Sequence, residues 1–299
     1  MLSGQKGNTG VSEKKSIHDF LSGEMNITKE IHKLAVLFED TDIIQIHRTY
    51  TVDTDIPLEQ CISSLFLSWN GRGSYLTPLE LKKDMGIADI QSKNPNELQT
   101  TLYLEYLLNM IQLFEREKHS FKSQSISVQT PIYQALQDNI SLLLSQLNLK
   151  PVQKEKGIRI LVPKDPRVIE AVEIIEKPDV KLAILEYNHI TNRNNLTGKQ
   201  KILHILAKDF EPKRIELEKT TEWKNLASDL GFLFNSLDIR HNNTEGVKAL
   251  TVIRNMQDRD LLAWYDTTYQ LYLTAVLLHH YSTKQQAKIT ALKAQVKSR

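Results

Sequence analysis

The sequence contains one cysteine, Cys61, among its 299 residues. An intrachain disulfide needs two cysteines and a cysteine-based zinc site needs several, so both are excluded. A single unpaired thiol is typical of a reducing compartment, and we expect a cytoplasmic location. Motifs for metal or nucleotide chemistry are also missing. The stretch Asn70-Gly71-Arg72-Gly73 lacks the spacing and the lysine of a phosphate-binding loop. The sequence therefore predicts neither a metal site nor a cofactor.

Long apolar runs are missing as well. No run approaches the roughly 18–20 residues that span a bilayer, and the first ten residues lack the basic-then-apolar pattern of a signal peptide. We therefore expect no membrane association. The net charge is only +2, so the chain lacks the overall basic field of a dedicated DNA-binding protein. The tail from Thr283 to Arg299 differs, because it carries five basic residues and no acid. It is either a solvated helix end or a contact for nucleic acid.

Helical periodicity dominates the rest of the chain and predicts a mainly α fold. Residues 1–12 are rich in Gly, Ser, Asn and Lys and are expected to form a disordered tail. Residues 13–150 are expected to form an N-terminal helical domain with one short strand at 43–52. Thr77 is the expected N-cap of one of its helices. The stretch Ser120–Gln129 is predicted to be a loop. Helices are predicted at 16–22, 28–39, 57–69, 78–85, 99–119 and 131–147.

One β-hairpin is predicted near 150–162, where two extended runs flank Lys156-Gly157. We place the domain boundary there, so that residues 151–299 comprise the hairpin and a C-terminal helical bundle. A helix followed by a hairpin also fits the wing of a winged helix-turn-helix regulator that binds DNA. No basic recognition helix precedes this hairpin, which argues against that alternative.

The C-terminal bundle is expected to be built around a long apolar helix that begins at Asp258 or Asp260 and runs to Tyr281. Its apolar residues follow steps of three and four, and we expect Trp264 and the neighbouring tyrosines to be buried. His279 and His280 point about 100° apart on such a helix and are not expected to face one site. Before this helix, the periodicity predicts helices at 167–176, 180–190, 198–210, 212–220 and from Trp223 to the cluster described next.

Four polar residues, Arg240, His241, Asn242 and Asn243, follow that last helix directly. One interpretation is structural: Asn242 or Asn243 ends the helix in a left-handed conformation, and the two cations lie near the negative end of the helix dipole. The other is catalytic. RNA is cut by its own 2′-OH when one group moves that proton and another stabilises the charge on phosphorus. Histidine and arginine supply these functions, and asparagine amides orient the substrate.

A helical bundle whose last two helices bracket an arginine, a histidine and asparagines resembles the HEPN superfamily. The resemblance covers residues from Thr221 to the C-terminus. Arg240 and His241 are adjacent here, whereas the family separates the two residue types by several positions. The resemblance implies a bacterial phage-defence (abortive-infection) or toxin-like protein acting on RNA. It further implies a metal-independent endoribonuclease whose site is completed across a homodimer interface, with Arg240, His241, Asn242 and Asn243 as the catalytic residues.

A second polar cluster, Asn188, His189 and Arg193, follows the helix predicted at 180–190. These residues are either a substrate-binding group that faces the first cluster or a capped helix end at the surface. His204 lies between apolar neighbours and is expected to be a partly buried packing residue. The alternative function for the whole chain is a non-catalytic helical module for dimerisation or for binding a protein partner. In that case the cluster at 240–243 only caps a helix.

Overall fold

The computed structural model describes residues 25–48, 52–119, 124–221, 223–240 and 256–297. Over these ranges the chain is mainly helical, as the periodicity predicted, and it contains two small antiparallel sheets. The tail predicted at 1–12 lies outside them. None of the helices in these ranges combines the length and the hydropathy needed to cross a bilayer.

Helices and one sheet enclose the N-terminal core. The first helix, α1, starts at Asn26, whose side chain accepts a hydrogen bond from the backbone N–H of Lys29 (3.0 Å). It widens into a π-helical turn at Val36–Asp40. Thr77 caps α3 as predicted, and a capping box of Asn96 and Gln99 starts α4. The elements are α1 (Ile27–Ala35), β1 (Asp42–Arg48), β2 (Thr54–Pro57), α2 (Leu58–Leu65), α3 (Pro78–Asp84), α4 (Glu97–Glu117), β3 (Gln124–Val128) and α5 (Thr130–Gln146).

The N-terminal sheet has the order β2-β1-β3 and is antiparallel throughout. Only β1 was predicted. The prediction of a loop at 120–129 is wrong over β3, and the predicted start of a helix at Pro57 is wrong because residues 54–57 form β2. The alternation of serine with Ile126 and Val128 supplies an apolar face, and both residues pack against the core. Pairing with β1 satisfies the backbone of this serine-rich segment.

The predicted hairpin is confirmed as β4 (Leu149–Gln153) and β5 (Arg159–Pro163). Lys156 and Gly157 both have positive φ in the connection between the strands. The hairpin lies between two hydrophobic cores. Ile160 and Val162 belong to the C-terminal core, whereas Leu161 belongs to the N-terminal core. Because successive side chains of a strand point to opposite faces, β5 contributes to both cores at once.

The C-terminal half is a helical bundle around α10, which packs on α6, α8 and α9. Tyr265, Tyr269 and Tyr272 of α10 are buried, as expected. The prediction that Trp264 is buried is wrong, since it is 44% exposed and lies about 100° around the helix from Tyr265. The elements are α6 (Pro166–Ile174), α7 (Pro178–Tyr187), α8 (Leu196–Glu218), α9 (Lys224–Ser236), α10 (Asp258–His280), a π-helical turn (Tyr281–Gln285) and α11 (Gln286–Lys297).

Helix α8 continues through Pro212, although the sequence predicted separate helices on either side of residue 211. Proline removes one i→i−4 hydrogen bond from a helix, at a cost of about 3 kcal/mol in an exposed interior. Phe210 on one side of Pro212 and Leu217 on the other are both buried in the C-terminal core. Packing on both sides of the proline therefore holds a single helix together.

Candidate functional site

Arg240 lies two residues beyond a left-handed turn that ends α9. The helix stops at Ser236, Asp238 has φ 55°, and the backbone N–H of Arg240 donates to the carbonyl of Phe234 (3.1 Å). The expectation that Asn242 or Asn243 ends this helix is therefore wrong. Aspartate tolerates the left-handed conformation because its short polar side chain bonds locally. His241, Asn242 and Asn243 lie outside the described residues.

The Arg240 side chain is held against α8. Its Nη1 donates to Oδ1 of Asn235 (3.3 Å), and its Nη2 forms an ion pair with Glu211. The Arg240 side chain is only 20% exposed. The turn before it is also tied to α8, because the ring Nδ1 of His204 hydrogen-bonds to the carbonyl of Ile239 (2.8 Å). Arg240 therefore has a defined position next to His241 in the chain, with one carboxylate already bound to it.

The second predicted cluster is used in contacts within the protein. Nε2 of His189 lies 2.6 Å from Oε1 of Glu105, and the His189 side chain is 11% exposed. Arg193 forms two hydrogen bonds of 2.6 Å with Glu97. Both carboxylates belong to α4, so these residues join the C-terminal half to the N-terminal core. Asn188 donates instead to the hydroxyl of Tyr269 (2.5 Å).

This contact extends to the hairpin. Oε1 of Glu105 accepts from the backbone N–H of Leu161 (2.5 Å) as well as from the His189 ring. One turn along α4, the Asn109 amide donates to the carbonyl of Arg159 and accepts from its N–H, both at 2.8 Å. Asn188 and Arg193 line a small cavity of about 100 Å³ beside β5. The structure thus brings Asn188, His189 and Arg193 together, but with α4, β5 and α10 and not with Arg240.

Sequence reasoning missed a cleft of about 330 Å³ at the C-terminal end of α10. Its walls are the connection between α6 and α7, one face of α8 around Pro212, and the π-helical turn that follows α10. We call it the α8–α10 cleft. Its polar lining includes Lys177, Asp209, Lys213, His279, His280 and Lys284.

Asp209 is the buried polar group of this cleft, with 2% of its surface exposed. Its carboxylate accepts from the Tyr272 hydroxyl (2.8 Å), from Nζ of Lys177 (3.1 Å) and from Nζ of Lys213. Burial by itself raises the pKa of Asp209. The hydrogen bond and the positive charge of Lys213, together with the hydrogen bonds from Tyr272 and Lys177, outweigh burial and lower that pKa. Burial and the adjacent Asp209 raise the pKa of Tyr272. The carboxylate is therefore ionised at neutral pH.

The rim of the α8–α10 cleft carries more exposed groups. Nε2 of His279 lies 2.6 Å from Oε2 of Glu216. Nζ of Lys284 lies 3.7 Å from Glu176, and both side chains are mostly exposed. The expectation that His279 and His280 would not face one site is wrong, because both line this cleft. The chain widens from an α-helix into a π-helical turn directly after them, and such turns are frequent at functional sites.

A second buried polar cluster lies in the N-terminal core. The Lys82 side chain is 6% exposed, and its Nζ lies 2.8 Å from Glu59 and 3.3 Å from Glu39. Tyr103 donates to Glu39 (3.0 Å) and Tyr106 to Glu59 (2.7 Å). Burial, together with the charge of Glu59, raises the pKa of Glu39. We call this group the Lys82 cluster. Its contacts join α3 to α2, to α4 and to the π-helical turn at Val36–Asp40, which contains Glu39.

No protein-family model, no curated protein and no solved structure matches this chain. Within the described ranges, no group of three or more His, Cys, Asp or Glu side chains is placed to hold a metal ion.

Proposed function

We propose that this protein acts on RNA through its C-terminal helical bundle, as a phage-defence or toxin-like protein. The distribution of charge carries the proposal. Residues 1–150 have 14 Lys and Arg against 18 Asp and Glu, whereas residues 151–299 have 24 against 18. The last 33 residues, which follow Asp266, contain no acid and five basic residues. An RNA backbone is bound chiefly by such cations, which displace its counterions.

The geometry of the last helices supports this proposal. Lys284, Lys288 and Lys293 are exposed along the π-helical turn and α11. Together they supply exposed positive charge in the segment that follows α10. Each lysine that contacts a phosphate of single-stranded RNA adds about 0.7 to the slope of log affinity against log salt concentration.

The proposed cleavage site is the segment after α9. Arg240 holds a phosphate, His241 transfers protons, and Asn242 and Asn243 orient the ribose. A second copy of the chain completes the site, as the resemblance to the HEPN superfamily implies. The fixed position of Arg240 supports its role, because a guanidinium already ordered by its neighbours loses less entropy when it binds phosphate. The phosphate has to replace Glu211 as its partner.

The test is cleavage of labelled single-stranded RNA in the presence of EDTA. We expect the wild type to cut, and Arg240→Ala and His241→Ala to lose a factor of about 10²–10⁴ in rate. Arg167→Ala is the matched control, because Arg167 also pairs with a carboxylate, that of Asp165, but is placed near neither candidate site. Equal melting temperatures show that the variants are folded. Equal rates in all four proteins would contradict the assignment of the site, and failure of the wild type to bind RNA would contradict the proposed function.

One observation favours a second candidate, a non-catalytic module for dimerisation. Ile289, Leu292 and Val296 are 41%, 61% and 69% exposed and lie along one face of α11. A second copy that covers this face would bury it. The measurement is the molar mass in solution by light scattering. A dimer that Leu292→Asp converts to a monomer, from a protein that does not bind RNA, would favour this candidate over the first.

A further inference from the structure

We infer that the α8–α10 cleft binds a phosphate monoester carried on a nucleoside. This site is separate from Arg240, and the inference does not depend on RNA cleavage. Its cavity of about 330 Å³ falls in the range of small-molecule sites. A phosphate group offers several acceptor oxygens, and the cleft surrounds its space with several donors.

The donors come from two sides of the cleft. Lys177 enters from the connection between α6 and α7, and its side chain is 58% exposed although its Nζ reaches the buried Asp209. Thr283, His280 and Lys284 enter from the end of α10 and the π-helical turn. Of the three lysines that line the cleft, Lys177 and Lys284 have the more exposed side chains, 58% and 62% against 19% for Lys213. A dianion between them would interact with both ammonium groups.

Three lysines and three carboxylates, Glu176, Asp209 and Glu216, line the cleft, and the ion pairs among them leave two of the ammonium groups exposed. Asp209 is held by two lysines, and Lys213 is the more buried of them, with a further contact to the backbone carbonyl of Asp209 (3.2 Å). Lys213 therefore neutralises Asp209, and Lys177 remains as the exposed second cation. Lys284 and Glu176 are 62% and 89% exposed and 3.7 Å apart, so water screens their attraction and a ligand can displace it.

The remaining wall suits the nucleoside part. Ile174, Ile175, Pro212 and Val276 line the same cleft beside the charged groups. Binding pockets commonly combine such an apolar surface with a few polar groups that fix orientation. A flat base against this wall places its phosphate toward the exposed end, where Lys177 and Lys284 lie. A cleft with only charged walls would instead favour inorganic phosphate.

The test is calorimetric titration of the full chain with adenosine monophosphate, adenosine and inorganic phosphate. We expect the monophosphate to bind at least tenfold more tightly than either part alone. Lys177→Ala and Lys284→Ala should each weaken it at least fivefold. Lys164→Ala is the control, since this exposed lysine follows β5 and lies outside the cleft, and the affinity of this variant should equal that of the wild type. Thermal melts confirm folding, which the exposure of both cleft lysines favours.

The phosphate monoester has two sources, a free nucleotide or the end of an RNA strand. A trinucleotide with and without a 5′-phosphate distinguishes them. A preference for the phosphorylated trinucleotide over the monophosphate assigns the site to RNA ends, and the reverse assigns it to free nucleotides. Either result supports the inference. Equal affinity of adenosine and its monophosphate, or equal weakening by Lys164→Ala and Lys177→Ala, would overturn it. If the protein cleaves RNA but does not bind the monophosphate, only this inference is contradicted. If it binds the monophosphate but not RNA, only the proposed function is contradicted.

Discussion

Replacing Lys82 by methionine tests the Lys82 cluster, a buried set of charges in the N-terminal core. In the wild type one ammonium group lies between two carboxylates, at 2.8 Å from Glu59 and 3.3 Å from Glu39. Methionine fills similar volume without the charge, so the variant leaves two neighbouring carboxylates with no cation. Removing one partner of a buried ion pair costs about 3–5 kcal/mol. We expect a loss of that size in the free energy of unfolding at pH 7.

The loss should depend on pH. Without Lys82, burial and the charge of Glu59 raise the folded-state pKa of Glu39 further above the unfolded value of about 4.3. A carboxyl with a raised folded-state pKa is stabilising below its unfolded pKa, and this stability is lost as pH rises through the folded pKa. The deficit relative to the wild type is therefore smallest near pH 4 and grows toward pH 7.

Urea unfolding at several pH values measures this deficit, with tryptophan fluorescence as one probe because Trp69 is buried in the same core. Lys83→Met is the matched control, since Lys83 is exposed on the next position of α3 and should change stability by less than about 0.5 kcal/mol. A deficit that stays constant between pH 4 and pH 7, or one no larger than that of Lys83→Met, would refute the assignment of Lys82 as the shared cation.

Three further substitutions probe local features of the fold by the same unfolding assay. Asn96→Ala removes the capping box of α4 and should cost about 1 kcal/mol, whereas Asn94→Ala, in the exposed loop before it, should cost less than about 0.5 kcal/mol. Gly231→Ala should stabilise α9 by up to about 1 kcal/mol if the far end of the Arg214 side chain, which pairs with Glu218 and lies 2.8 Å from the added Cβ, shifts aside; a loss would show that this guanidinium cannot move. Asn109→Ala leaves two backbone groups of β5 without their partner and should cost about 1–3 kcal/mol; no change would indicate that water replaces the amide.

The features that could be predicted from the sequence are those with local causes. Thr77 caps a helix through a contact three residues along the chain, and Lys156 and Gly157 form the turn between two adjacent strands. Both features depend only on neighbouring residues. Strand β3 depends on pairing with β1, about 80 residues earlier in the chain, so a serine-rich stretch read alone resembles a loop. The break predicted at Pro212 is absent for a similar reason. Packing on both sides of the proline outweighs the loss of one helical hydrogen bond, and the sequence near residue 212 does not reveal that packing.

In the candidate sites, too, single residues could be predicted from the local sequence, whereas their partners from distant elements could not. Arg240 could be identified as a polar residue after a helix, but its partner Glu211 comes from another helix and no sequence pattern links the two. The α8–α10 cleft combines Lys177, Asp209 and His280 from three separate elements. The adjacent histidines and the proline within α8 were its only signals in the sequence. The α-helical angle between those histidines argued against a shared site, and the π-helical turn that follows them was not foreseen.

Strand β5 has a consequence for how the two halves respond to binding. Leu161 completes the N-terminal core, while Ile160 and Val162 complete the C-terminal core. Neither half can lose its structure without exposing apolar surface of the other, so one cooperative transition is expected in place of two. A ligand bound only in the C-terminal bundle would then protect the amides of α4 against hydrogen exchange, although α4 ends more than 30 residues before the hairpin. The shared strand thereby gives the N-terminal half a thermodynamic link to events at the opposite end of the chain.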